Sequence, residues 1–391
     1  MNTLDKVLFE ALQQQQQQQL WREPLMRDGP QGVYQIIEGK KYLCFMSNDY
    51  LGLAHHPLLI NALQKAATQY GVGSGASHVV NGHTVLHHEL EQALAKLTHR
   101  PAALLFSTGF MANLAVISAL CQRRDVVIHD RLNHASLLDG TKLSGAKLVR
   151  YRHLDIQDCE YKLQACSAAR RKLIVTDGVF SMDGDIAPLP ELSRLASAHD
   201  AWLMVDDAHG FGVLGAQGGG TLEHYDVSIE QVPVVVGTLS KAFACFGAFV
   251  AGSETLIETC RQFARPYIYT TAMPPALAGA ALQAIAISQR PEEAWRRAHL
   301  QDLIGQFRAG AEKRGLTVLP SNTPIQPICL GSNATTLAMG EKLKAQGILV
   351  STIRPPTVPY GQARLRISLS ALHQKEHITQ LLEALGAGFG K

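Results

Sequence analysis

AWLMVDDAHG (201–210) and PVVVGTLSKAFACFGAFVAG (233–252) carry the reading that decides the fold. Each opens on a short apolar run and breaks into carboxylates, hydroxyls or a lysine at its C-terminal end. A strand that is apolar on both faces must be covered on both. Working outward, the pattern recurs. AALLF (102–106) precedes the helical FMANLAVISALC (110–121), VVI (126–128) precedes HASLLDGTKLSG (134–145), and KLIVTDGV (172–179) precedes PELSRLASAH (190–199). AFVAG (248–252) closes the series. This alternation predicts an α/β protein: a large, mostly parallel sheet with helices on both faces.

Past residue 285 the rhythm changes to longer helices, with TVLP (317–320), PIQPICL (324–330), ILVSTI (348–353) and ARLRISL (363–369) as strands. The expected division is an N-terminal arm over 1–50, a large domain over 51–285 and a smaller α+β C-terminal domain over 286–391. Residues 1–20 read as an amphipathic helix running into Gln13–Gln19, a tract that fits a polar helix face or an exposed arm. No internal repeat of fixed period is present.

At 391 residues the chain exceeds what a single core usually fills. Hydrophobic residues make up 46% and charged residues 18%, with a formal net charge of +3 and the two signs interleaved. No basic run suggests a nucleic-acid or membrane partner. No apolar stretch around the lysine reaches the ~20 residues of a membrane span, and the N-terminus lacks a secretory-signal pattern. Seven scattered cysteines with no CxxC pair fit reduced thiols. A cytoplasmic enzyme is the expectation.

In an open α/β sheet, ligands collect at the C-terminal strand ends. Four such ends here are polar: Ser107-Thr108-Gly109-Phe110, then Asp177 to Gly184, then Asp206-Asp207-Ala208-His209-Gly210, then Thr238-Leu239-Ser240-Lys241. The first begins a helix whose free amides could meet a phosphate, or it is a plain cap. Lys241 interrupts an apolar, glycine-rich segment. A desolvated lysine has a lowered pKa and a nucleophilic amine, as Schiff-base chemistry needs; the alternative is a solvated strand-end lysine. Asp206 could pair with a cofactor's ring nitrogen or serve as a structural aspartate. His134 could face a ligand or start a helix.

LMVDDAHGFGVLG, GTLSKAFACFGAFVAG, DRLNHASLLDG, DGVFSMDGDIAPLPEL and RPPTVPYGQARLRISLSALH resemble, in order, the motifs of the α-oxoamine synthases. These are fold-type I pyridoxal-5′-phosphate (PLP) enzymes that condense an amino acid with an acyl thioester and lose CO2. The resemblance runs from about residue 20 to 390. It implies PLP held as a Schiff base on Lys241, with Asp206 on the ring nitrogen, His209 near the ring hydroxyl and His134 on the ring face. It places Ser181 and Thr238 on the cofactor and the amides of Gly109 and Phe110 on its phosphate. Thr270 or Thr271 would reach the phosphate of a partner subunit in a homodimer. Arg354 would receive the amino-acid carboxylate, while Arg22, Asn48 and Thr357 belong with the acyl substrate. IRPPTVP (353–359) and SNDYLGL (47–53) favour the family branch that uses L-alanine and a pimeloyl thioester in biotin biosynthesis. Sister branches use glycine with acetyl-CoA or succinyl-CoA.

The chain departs from the family pattern at Phe211, Ser240, Cys245-Phe246 and His78, the last standing where many relatives have arginine. Two rival readings are weak. His83 and His87 share a helical spacing and His55-His56 and His87-His88 are pairs, but no carboxylate set completes a metal site in the sequence. GVGSGAS lacks a clean GxGxxG after a strand, which disfavours a dinucleotide-binding dehydrogenase.

Overall fold

The computed structural model describes residues 3–388 and divides the chain into two compact units. The larger comprises Asn48–Ser181 and Asp185–His299. Its centre is a seven-stranded sheet in the order 102–106, 248–252, 234–238, 202–206, 172–177, 126–130, 147–151. Six of these strands point the same way, while Ala248–Gly252 is antiparallel to both of its neighbours. The apolar runs anticipated the strands, but their apolarity carries no direction. That AFVAG reverses follows from the tight 239–247 loop, too short for a crossover helix. The edge strand Lys147–Tyr151, partly exposed and charged, escaped the sequence reading for that reason.

Residues alternate between the two faces. Leu104, Val127, Leu173, Met204, Val236 and Val250 pack under helix Gly109–Leu120 through Val116 and Ile117. Ile128, Ile174, Leu203, Val205 and Val235 face Leu163, Leu189 and Leu192 from the helices on the other side. Each fully buried Val or Leu contributes roughly 1.5–3 kcal/mol before entropy is counted. Gly237 is needed for close packing: a Cβ there would lie 2.5 Å from the ring of Phe249, its register partner.

Among the described residues, the second unit gathers 3–47, 182–184 and 300–388. Its six strands run in the order 27–28, 34–37, 40–45, 348–353, 363–368, 325–331. The segment set apart above as an arm joins it because Lys40–Phe45 pairs in parallel with Ile348–Ile353. Tyr34–Ile37 turns into that strand through Glu38 and Gly39, both at positive φ. TVLP is not a strand: Val318 makes only an isolated bridge to Ile328. Helix Thr3–Gln17 has no buried residue and takes in the first five glutamines of the tract. Among the described residues no helix is long and apolar enough to cross a membrane.

Candidate active site

Four strand ends of the larger unit, 106, 177, 206 and 238, open on one cavity of about 190 Å³. It is lined by Gly109, Phe110, His134, Ser181, Asp206, His209, Thr238 and Lys241. Eight of the residues singled out in the sequence thus meet in one place.

Thr108 caps helix Gly109–Leu120, its hydroxyl accepting from the Met111 amide at 3.2 Å, while its carbonyl takes the Ala112 amide. The amides of Gly109 and Phe110 are left as first-turn donors with no acceptor inside the helix, pointing their partial positive charge at the cavity. Opposite, Asp206 is 7% exposed. One oxygen accepts from Asn113 Nδ2 at 2.6 Å and the other from the Ala208 amide at 3.1 Å. Both donors are neutral, and the buried carboxylate shares the cavity with Lys241. Burying a charge that way is costly unless a cation completes the site.

His134 caps helix Ala135–Ser144, its Nδ1 taking the Ser136 amide and lying 2.7 Å from the Ser136 hydroxyl. Its own amide donates to Asp177 Oδ2 at 3.1 Å. Desolvation lowers the His134 pKa, against the pull of Asp206 and with the help of Lys241. Asp177 is raised well above the carboxylate range, by burial first and then by repulsion from Asp206. The next residue after Asp206 behaves differently. Asp207 turns into the protein, accepts from the Thr221 amide at 2.7 Å, and is pushed up to about 8 by burial.

His209 is buried and its Nδ1 lies 2.7 Å from the Tyr50 hydroxyl, which donates to Asn48 Oδ1 at 3.2 Å. Asn48 is therefore linked to the cavity through Tyr50 rather than lining it. Lys241 is half-buried, on the loop between antiparallel strands Val234–Thr238 and Ala248–Gly252. That loop is pinned by Leu239 N to Gly247 O, Cys245 N to Leu239 O and Ala244 N to Lys241 O. The Thr238 hydroxyl donates to the Gly247 carbonyl at 3.1 Å and meets the Ser240 hydroxyl at 2.8 Å.

Thr270 and Thr271 do not line the cavity; Thr271 pairs in an isolated bridge with Ser77. Arg22, Arg354 and Thr357 lie in the second unit. There the Arg354 guanidinium donates to the carbonyls of Gln19 (2.6 Å) and Trp21 (3.2 Å), and the Thr357 amide to the Arg354 carbonyl. Burial and then the charge of Arg22 lower the Arg354 pKa. Among the departures, Phe211 belongs to the core, 5.0 Å from the Phe243 ring and 4.8 Å from that of Phe249, and does not line this cavity. Ser240 does line it.

Sequence reasoning missed Asn113 and Ser136 as cavity residues, and gave Asp177, Val179 and Ala208 no role beyond their place in the polar strand ends. Asn113 left a usable signal: it is the lone amide in the apolar helix GFMANLAVISAL and is 1% exposed. Its Oδ1 is buried without a hydrogen-bond partner.

The family model described as aminotransferase class I and II matches residues 40–385. The chain belongs to this aminotransferase class I and II family. Among curated members, an 8-amino-7-oxononanoate synthase from Cellvibrio japonicus is 56% identical over 383 residues, covering 98% of this chain and 96% of that protein. Among solved structures, a serine palmitoyltransferase with PLP as its internal aldimine is 32% identical, with a TM-score of 0.91 over 99% of this chain and 98% of that one. A Francisella tularensis 8-amino-7-oxononanoate synthase is 35% identical, with a TM-score of 0.78 over 89% and 98%. The fold is that of the fold-type I PLP transferases, as the strand pattern and motifs led us to expect.

Proposed function

We propose that this chain is a PLP-dependent acyltransferase of biotin biosynthesis, condensing L-alanine with a pimeloyl thioester to give 8-amino-7-oxononanoate, CO2 and the free thiol. The observation that carries the reading is Lys241 and Asp206 on neighbouring strand ends of one small cavity, in a chain 56% identical to a synthase of that name.

The donor set suits PLP. The buried Asp206 carboxylate, hydrogen-bonded to neutral donors, fits a protonated ring nitrogen, and the first-turn amides of Gly109 and Phe110 fit a phosphate. Lys241 would hold the aldehyde carbon, His134 the ring face, His209 the ring hydroxyl, and Ser181 and Thr238 the ring's polar edge. When bound, PLP supplies an electron sink for charge developing at an amino-acid α-carbon. Asp206 keeps a proton on the ring nitrogen, and Asn113 and the Ala208 amide fix which way its carboxylate points. Lys241 Nζ takes the α-proton of alanine and returns one at the end. The new bond joins that α-carbon to the thioester carbonyl. The carbon–sulfur bond breaks with its electron pair on sulfur, and the carboxylate leaves as CO2, its bonding pair staying on the α-carbon.

Arg354 is assigned to the alanine carboxylate, by the bidentate fit of guanidinium to carboxylate, and Arg22, Asn48 and Thr357 to the acyl substrate. The working form is a homodimer in which Thr270 or Thr271 reaches the partner's phosphate, and closed two-fold pairs are the commonest assembly.

The test sets alanine and glycine against pimeloyl-, acetyl- and succinyl-CoA, following thiol release and product mass. Alanine with pimeloyl-CoA should be preferred, and Lys241→Ala should abolish turnover. Preference for glycine with a shorter acyl group would move the chain to a sister branch.

A further inference from the structure

A second cluster of chemistry-bearing side chains lies outside the cavity, where helix Val85–Leu97 begins. Ligand atoms of His83, His88 and Glu91 lie within 4.8 Å of one another. The sequence offered His83 with His87 and no carboxylate; the fold replaces His87 and supplies the acid. His87 is engaged on both nitrogens, Nδ1 accepting from the Thr84 amide at 3.0 Å and Nε2 bonded to the Met273 carbonyl at 2.8 Å. One helical turn brings His88 and Glu91 onto one face.

We propose that His83, His88 and Glu91 bind one first-row divalent transition-metal ion of the zinc class. Two imidazoles and a carboxylate, with water completing the shell, are a common donor set for such ions. The geometry around the three supports it. Glu91 is 7% exposed; its Oε1 accepts from the Leu105 amide at 3.1 Å, while Oε2 lies 3.9 Å from His83 Nε2. The other His83 nitrogen, Nδ1, is 2.8 Å from His78 Nδ1. A ring nitrogen fixed in this way turns the opposite one toward a metal. His78 is itself held by stacking on the Tyr267 ring, 5.1 Å away. Gly82, whose Cβ would lie 2.1 Å from the Ala76 carbonyl, packs the turn that presents His83.

Ligands on one tetrahedral zinc sit roughly 3.4 Å apart, as its ~2.0–2.2 Å bonds require. The set must therefore close by about an ångström. His88 can supply this, being exposed, with its ring nitrogen 3.0 Å from the Gln92 side-chain amide. The opposing influence is Arg261, whose charge is felt at both Glu91 and His83 and which pairs with Glu258.

The experiment titrates PLP-loaded protein with Co2+ and with Zn2+, reading cobalt's visible ligand-field bands and bound metal per chain after dialysis. One ion per chain is expected. His83→Ala and His88→Ala should each weaken binding at least tenfold, while His55→Ala, which removes an exposed histidine elsewhere, leaves it unchanged. Excess Mg2+, which prefers oxygen ligands, should not compete. Circular dichroism checks that each variant is folded, and His88→Ala alone removes an exposed side chain. Less than stoichiometric binding to wild type, or equal affinity in the His83 and His88 variants, would overturn the proposal.

Discussion

Two groups of buried acids in the larger unit differ in what balances them. Around His153, Asp130 and Asp185 lie on the two ring nitrogens at 2.9 and 2.8 Å. Asp130 also takes the amides of Leu132 and Leu154. Burial opposes charge on that ring, but the two hydrogen-bonded carboxylates outweigh it and lift its pKa to about 10. One charged ring there answers two carboxylates directly. Around the cavity, Asp206 accepts from two neutral amide donors, and burial and the charge of Asp206 raise the Asp177 pKa, against the pull of Lys241. The first group closes on itself and holds the loop carrying Phe180, whose ring meets His153 edge-on at 4.5 Å. The second leaves the Asp206 carboxylate on neutral hydrogen-bond donors, in a cavity it shares with Lys241. Acids tied directly to a charged ring form a structural group, whereas acids held by neutral donors around an open cavity mark a candidate site.

The largest effect that tests this contrast is on turnover. Asp206→Asn keeps shape and hydrogen-bonding but removes the charge, and should cut kcat by about 10²-fold or more with the circular dichroism spectrum unchanged. Near-normal turnover would put Asp206 with the structural acids.

Next comes stability. His153→Gln should cost roughly 2–3 kcal/mol in urea unfolding, less than a fully buried pair because the His153 side chain is 23% exposed. Turnover per folded molecule should be nearly constant. Because the folded pKa is raised, this stability is complete below the unfolded value near ~6.5 and is lost as pH rises toward about 10. The gap between wild type and variant should therefore narrow between pH 6.5 and 10. A constant gap would mean that His153 is not held charged.

The smallest effect sharpens the contrast between neighbours. Asp207 is pushed up to about 8 and is uncharged at neutral pH. A raised carboxylate favours the folded state most below its unfolded pKa of ~3.9, and loses that advantage as pH climbs through 8. Asp207→Asn should hold turnover within about threefold and be no less stable than wild type at pH 7, with the difference growing in the variant's favour toward pH 8. A loss of turnover like that of Asp206→Asn would erase the distinction.

Much of the cavity was legible in sequence because its residues stand where an apolar strand stops, and Lys241, Asp206 and His134 all interrupt a pattern. Asn113 and Ser136 were not read, since one lies a turn inside a helix and the other behind a histidine cap; only packing turns them toward Asp206. Nor was the N-terminal hairpin 34–45, whose strands are short and whose parallel partner lies some 300 residues later. Contacts so distant leave no local period to read.

The reversed strand Ala248–Gly252 fixes Lys241 by register. Ala248 pairs at once with Phe106 and Thr238, the last residues of the strands on either side. The loop bearing Lys241 is therefore spliced beside the helix that begins at Gly109, and its length is dictated by two ladders. Changing a side chain among residues 242–246 leaves both ladders in place. Adding or deleting one residue there must either bulge the loop or slip a central strand, and a slip of one turns every side chain of that strand to the opposite face. The position of the lysine is thus a collective property of three strands, as resistant to gradual drift as the sheet itself.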